Sequence, residues 1–173
     1  MPSIHKRPEI IVIAAFTVKE RLMGNGYVLP WPSLREDLRR FKKMTFGHVL
    51  IMGRRTFKGV ILQFGKPLPG RRILVLTSRG PLPDYPSIET FTSLTKALEA
   101  MQDVPKVFIG GGVRPYEEAL PMADRLEFTL VEGNYEGDAH FPPYKHIVDR
   151  HFELIDRQPG KGLTFESYRR RAS

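Results

Sequence analysis

The sequence predicts an α/β fold of three layers: a mostly parallel central β-sheet, an antiparallel strand pair at its C-terminal end, and about four helices. Two observations lead there. Short apolar runs recur along the chain, at Glu9–Thr17 (EIIVIAAFT), His48–Met52, Ile73–Leu76 and Lys106–Ile109. Each is too short for most helices and rich in Ile, Val or Leu, the pattern of strands buried on both faces of a parallel sheet. Several of these runs also end in residues suited to holding a ligand: Gly53 to Thr56, Thr77 to Arg79, and Gly110 to Gly112. In open α/β sheets, ligands gather along that carboxyl edge.

The elements follow in order. Glu9–Thr17 is the first strand; Ala14 and Ala15 near its end are small enough for a ligand to approach the backbone. Val18–Leu29 is a loop that Gly24 and Gly26 make mobile, as in a lid. It delivers Leu29, Pro30 and Trp31 to a helix. Ser33 and Glu36 have capping-box spacing at that helix's start. Leu34, Leu38 and Phe41 fall on one stripe, and Asp37 lies on the same stripe. A carboxylate on a buried face needs a hydrogen-bonding partner or a raised pKa. It either forms a salt bridge at the edge of the stripe or grips a ligand that offers N–H donors. The helix ends near Thr45, with Gly47 as the stop.

His48–Met52 is the second strand, and the glycine and basic residues after it suit a phosphate or a solvated turn. Lys58–Lys66 reads as irregular. Pro67-Leu68-Pro69-Gly70 is a rigid turn ending on Arg71, a guanidinium suited to bidentate capture of a carboxylate. Ile73–Leu76 is the third strand and Ile88–Phe91 a short one. Ser93–Gln102 is an amphipathic helix, and Lys106–Ile109 is a strand running into three glycines. Pro115 starts a short helix through Leu120. Arg125–Val131 is a strand carrying Thr129, and Gly137–Pro142 is a turn. Phe152–Ile155 and Leu163–Arg169 form the antiparallel pair.

With 173 residues, 41% hydrophobic and 27% charged, the chain suits one globular domain over 1–173. Residues 1–8 form an extension and 170–173 a basic tail. There are no cysteines, which excludes disulfides, a thiol nucleophile and a cysteine metal site. No metal site is expected. No apolar run reaches membrane-spanning length, and the polar N-terminus does not resemble a signal peptide. A cytoplasmic location is therefore expected, with no membrane partner. The net charge of +8 calls for an anionic partner. The basic residues are spread along the chain and form no recognition helix, so nucleic acid is not expected. Three basic positions at the sheet edge, Arg54 or Arg55, Arg79 and Arg114, favour a ligand with several phosphates, such as NADP. Asp37 and Arg71 suggest a second ligand, with a nitrogen heterocycle at one end and an acid at the other.

Seven segments, in order and at near-family spacing, resemble the dihydrofolate reductases. They are Leu29-Pro30-Trp31, Asp37-Leu38 with Phe41-Lys42, Ile51 to Phe57, Pro67 to Arg71, Leu76 to Arg79, Ile109 to Gly112, and Gly137-Asp138 with Phe141-Pro142. The resemblance implies a dihydrofolate reductase-like fold and NADPH-dependent reduction of 7,8-dihydrofolate to tetrahydrofolate. It implies a monomer that also binds antifolates such as methotrexate. Asp37 would bind the pterin 2-amino group and N3, with Thr129 in the same network, and Trp31 would help hold a water. Ala15, Leu38, Phe41, Lys42, Val60, Leu68, Ile109 and Tyr116 would line the substrate pocket, and Arg71 would take the glutamate α-carboxylate. NADPH would lie against Ala15, Gly24, Leu29, Gly53, Arg54, Arg55, Thr56, Leu76, Thr77, Ser78, Arg79, Gly110, Gly111, Gly112, Arg114 and Tyr116.

Three departures from the family pattern stand out. The segment between Thr56 and Pro67 is long and places Gly59 where a serine is usual. One extra residue after the triple glycine leaves either Ile109 or Gly110 facing the pterin, and leaves open which glycine pair takes the family's cis peptide. Lys66-Pro67 resembles its cis-proline site. A pyrimidine reductase of riboflavin synthesis is the nearest rival; Asp37 and the Gly137-Asp138 segment speak against it.

Overall fold

The computed structural model describes residues 7–172. They form ten strands and five helices. Eight strands make one sheet in the order β5-β4-β3-β6-β1-β7-β10-β9. At its centre β1 (Glu9–Thr17) runs parallel to both β6 (Lys106–Ile109) and β7 (Arg125–Val131). β3 (Val49–Gly53) and β4 (Arg72–Leu76) continue the parallel half, and β5 (Glu89–Phe91) closes that edge. β9 (Phe152–Pro159) and β10 (Leu163–Arg170) are the expected antiparallel pair, β10 lying against β7.

Alternation along β1 feeds two cores. Ile10, Val12, Ala14 and Phe16 join one, where the rings of Phe16 and Phe141 stack at 4.5 Å. Ile11 and Ile13 join the other, with Leu50, Met52 and Phe108. Because both faces are covered, the strand reads as continuously apolar.

α1 (Arg35–Thr45) crosses over between β1 and β3. Its acidic first turn (Glu36, Asp37) and basic last turn (Lys42, Lys43) match the helix dipole. The expected cap is displaced: Leu34 holds the N-cap position in extended conformation with no side-chain hydrogen bond, so Ser33 lies one residue too early.

Other expectations are corrected too. Lys58–Lys66 is mostly helical, because α2 spans Arg54–Phe64 and stops at Gly65, whose φ is 75°. Phe57 and Gly59 are buried while Leu62 and Phe64 are exposed, so apolar residues on both faces hid the period. The peptide before Pro67 is trans; the reversal after α2 is made by Gly65 and by Gly70, whose φ is 77°. The loop after β1 contains β2 (Leu22–Gly24), and the 137–142 turn contains β8 (Ala139–His140); they pair as a two-stranded ribbon. Strands this short are defined by pairing alone. α5 (Lys145–His151) buries none of its residues fully; only Ile147 and Val148 pack against the core, too short an apolar stripe to mark a helix. α3 (Leu94–Ala100) is capped by Ser93, and α4 (Val113–Ala119) begins two residues before Pro115. The expected basic tail of 170–173 is not a tail at Arg170, which belongs to β10. Residues 1–6 of the expected extension lie outside the described residues. Among the described residues, no helix is long and apolar enough to cross a membrane.

Candidate active site

A cavity of about 930 Å³ runs along the carboxyl ends of the parallel strands, between α1, α2 and α4. Asp37, in the first turn of α1, is half-buried on its wall. The Thr129 hydroxyl on β7 donates to Asp37 Oδ1 at 2.6 Å. Burial pushes the Asp37 pKa above its ordinary value; the Thr129 bond and the Arg40 cation pull it partly back. Trp31 is buried beside it, in a side cavity of about 220 Å³ that Asp37 and Leu38 also line. The Trp31 indole N–H meets no acceptor among the described residues. A buried donor of that kind suits a bound polar atom.

Ala15, Leu38, Phe41, Lys42, Val60, Leu68 and Tyr116 all line the main cavity. The Tyr116 hydroxyl donates to the Ile13 carbonyl at 2.8 Å, which ties α4 to β1. Arg71 lies on the wall with its Nε–H donating to Thr45 Oγ1 and its Nη1–H to the Pro69 carbonyl. Desolvation pulls the Arg71 pKa below its ordinary value. The sequence marks Thr45 only as the helix end and not as a partner of Arg71; its place one turn after Phe41 is the available signal. Ile109 does not face the cavity: it is fully buried in the core beneath α3 and α4. Gly110 lines the wall instead, and a Cβ there would lie 2.9 Å from Leu50 Cδ1.

At the other end Gly53, Arg54, Arg55 and Thr56 open α2 against the cavity, beside Leu76, Thr77 and Ser78 at the end of β4. Arg54 Nη1–H donates to Thr77 Oγ1 at 3.2 Å. Arg79 is not on the wall; the chain turns away after Ser78, and the Thr77 hydroxyl oxygen accepts the Arg79 N–H across that turn. Arg55 and Arg114 line the cavity but are already paired, with Asp138 at 3.6 Å and Glu118 at 3.1 Å. Glu118 therefore joins Asp37 as a second carboxylate on the wall.

The triple glycine resolves its register here. The cis peptide joins Gly111 and Gly112, and the Gly111 carbonyl accepts the Gly53 N–H at 2.9 Å. A Cβ on Gly111 would lie 3.1 Å from Thr56 Oγ1, and one on Gly112 would lie 3.2 Å from it. Side chains would crowd this cradle, and glycines keep the backbone open to a diphosphate. Gly24 and Leu29 line the cavity from the loop above it. Asp138 holds that loop: it accepts the Gly26 N–H and donates its own N–H to the Gly24 carbonyl, both at 3.0 Å.

A family model described as "Dihydrofolate reductase" matches residues 9–170. The chain belongs to the dihydrofolate reductase family. It is 42% identical over 135 residues to the dihydrofolate reductase type 3 of Salmonella typhimurium, covering 78% of this chain and 80% of that protein. It is 36% identical over 140 residues to the dihydrofolate reductase of Bacillus subtilis, covering 81% and 78%. A solved dihydrofolate reductase from Enterococcus faecalis, in complex with NADP(H) and RAB-propyl, is 29% identical. It superimposes with a TM-score of 0.81 over 95% of this chain and 97% of that one.

Proposed function

We propose that this member of the family reduces 7,8-dihydrofolate to 5,6,7,8-tetrahydrofolate with NADPH, in support of one-carbon metabolism and thymidylate synthesis. The observation that carries this is the seating of Asp37: a carboxylate with no ion-pair partner among the described residues, held by Thr129, on the wall of a long cavity with Arg71 along the same wall. Asp37 accepts the N–H groups of the pterin 2-amino group and N3. Leu38, Phe41, Val60 and Leu68 pack the rings, and Arg71 takes the α-carboxylate. Arg54 and Ser78 are suited to the 2′-phosphate of NADPH, and Thr56 with Gly111 and Gly112 to its diphosphate.

When bound, NADPH supplies the hydride that reaches C6 of the pterin. The rest falls to the chain. Asp37 orients the pterin and polarises it from the side opposite N5, so the N5 proton comes by way of water beside Trp31. The loop over Gly24 to Leu29 excludes bulk solvent, and alignment of two rings in a dry pocket supplies much of the rate. Antifolates such as methotrexate fit the same Asp37 site. The protein acts as a monomer in the cytoplasm.

The test is loss of NADPH absorbance with purified protein and dihydrofolate, for the native chain and for Asp37→Asn. Oxidation that needs dihydrofolate and falls by roughly two to three orders of magnitude in the variant is expected. Oxidation that survives the substitution would remove Asp37 from its role. NADPH binding without oxidation would favour a pyrimidine reductase.

A further inference from the structure

Behind Asp37 lies a buried charged cluster that the chemistry above does not use. Glu127 on β7 is fully buried. Its Oε2 accepts from Arg40 Nη2 at 2.6 Å and from the Ser167 hydroxyl, and its Oε1 accepts from Arg125 Nη2 at 2.7 Å. Arg40 also lies 4.8 Å from the centre of the Phe165 ring and lines the main cavity.

The spacing matters. Asp37 and Arg40 are three residues apart on α1 and so share a face. Thr129 and Glu127 are two apart on β7 and so share a face of the sheet. The helix meets the strand through two side-by-side contacts, Asp37 with Thr129 and Arg40 with Glu127. The second fixes the rotation of α1 on which the first depends.

We propose that Arg40, clamped to the sheet by Glu127, is a positioning residue that sets both the seat and the charge of the pterin-binding carboxylate. This rests on the reading of Asp37 given above. The pair is worth keeping for what it does to Asp37: buried ion pairs add little net stability, yet breaking one leaves an uncompensated charge.

The neighbours of Asp37 give the sign. On its own helix Arg40 is the cation that favours the carboxylate, and from α4 Tyr116 faces it as a buried neutral phenol. β7 brings the Thr129 hydroxyl, with Glu127 and Arg125 behind Arg40; β10 brings the uncharged Ser167; β1 brings Ala15. Removing Arg40 therefore raises the midpoint of Asp37. Removing the Glu127 charge leaves Arg40 uncompensated and lowers it.

The experiment is a carbon NMR titration of the side-chain carboxyls in the ligand-free protein, with Asp37 assigned by Asp37→Asn. It is run on the native chain, Arg40→Met, Arg40→Lys and Glu127→Gln, alongside kcat and KM for dihydrofolate against pH. The midpoint should rise by about half a pH unit or more in Arg40→Met, the size of one nearby charge in a well-solvated wall. It should fall in Glu127→Gln and return toward native in Arg40→Lys. KM for dihydrofolate should rise in Arg40→Met while KM for NADPH stays level. An Asp37 midpoint that does not move in folded Arg40→Met and Glu127→Gln protein would overturn the proposal. If Arg40→Met does not fold, the near-isosteric Glu127→Gln decides alone. Absence of turnover in the native chain would sink the reductase reading, while the titration would still test the pair.

Discussion

Asp37 carries a cost that its position explains. Burial raises its pKa in the folded chain above the unfolded value. The folded state then holds that proton more tightly than the unfolded state. The contribution to stability is full below the unfolded pKa and is lost as pH rises through the folded one. Asparagine keeps an acceptor for Thr129 and carries no charge. Asp37→Asn should therefore melt at a higher temperature than the native chain at neutral pH, and the gain should shrink in acid. Melting curves across pH check this beside the loss of activity. Gly110 has a different constraint. A Cβ there would press on Leu50, which is fully buried. Gly110→Ala should cost about 1–3 kcal/mol by overpacking, and adding Leu50→Val should recover part of it. Urea unfolding of the single and double variants gives both values.

α2 and the loop above it meet at a glycine. Gly59 lies mid-helix, and a Cβ there would stand 2.7 Å from the Tyr27 carbonyl oxygen. Tyr27 is held further by Lys58 and Arg55, whose cationic groups lie 4.9 and 5.1 Å from its ring centre. Gly59→Ser therefore sets two effects against each other. The helix gains roughly 0.5 kcal/mol of intrinsic preference over glycine, while the backbone of the loop must move away. Faster hydrogen exchange over residues 24–29 is expected, with a lowered kcat and little change in unfolding free energy. Unchanged exchange would mean that the loop does not rest on α2.

The chain closes on itself through its last strand. Arg170 donates to the Ala123 carbonyl at 2.7 Å, to that of Pro121 at 2.9 Å and to that of Leu120 at 3.3 Å, and its guanidinium lies over Phe152. Asp124 next to them accepts from Arg7 and from the Ile10 N–H. The end of α4, the starts of β1, β7 and β9 and the end of β10 meet at this corner. Arg170→Met should cost about 1–3 kcal/mol, because the carbonyls lose their donor. A solvated tail residue would cost nothing measurable, so chemical denaturation separates the two.

The local pattern of the sequence determined a great deal. The continuous apolar run of β1, the stripe of α1 with Asp37 on it and the seven family segments were legible because each is written in adjacent residues or one helical period. Tertiary structure decided whatever depends on chain segments far apart. Glu127 and Arg40, separated by 87 residues, become partners only when α1 lies on β7. Ile109 and Gly110 both fit the spacing; only the register of β6 against β3, set by the Gly110 N–H bonding the Ile51 carbonyl, buries one and exposes the other to the cavity. Arg79 and Arg55 looked alike as cations, and a turn after Ser78, closed by the Thr77 hydroxyl, removed the first from the wall. Residue type and spacing name the chemistry a chain can do, but which side chains meet is a property of packing, where each contact depends on every element beneath it.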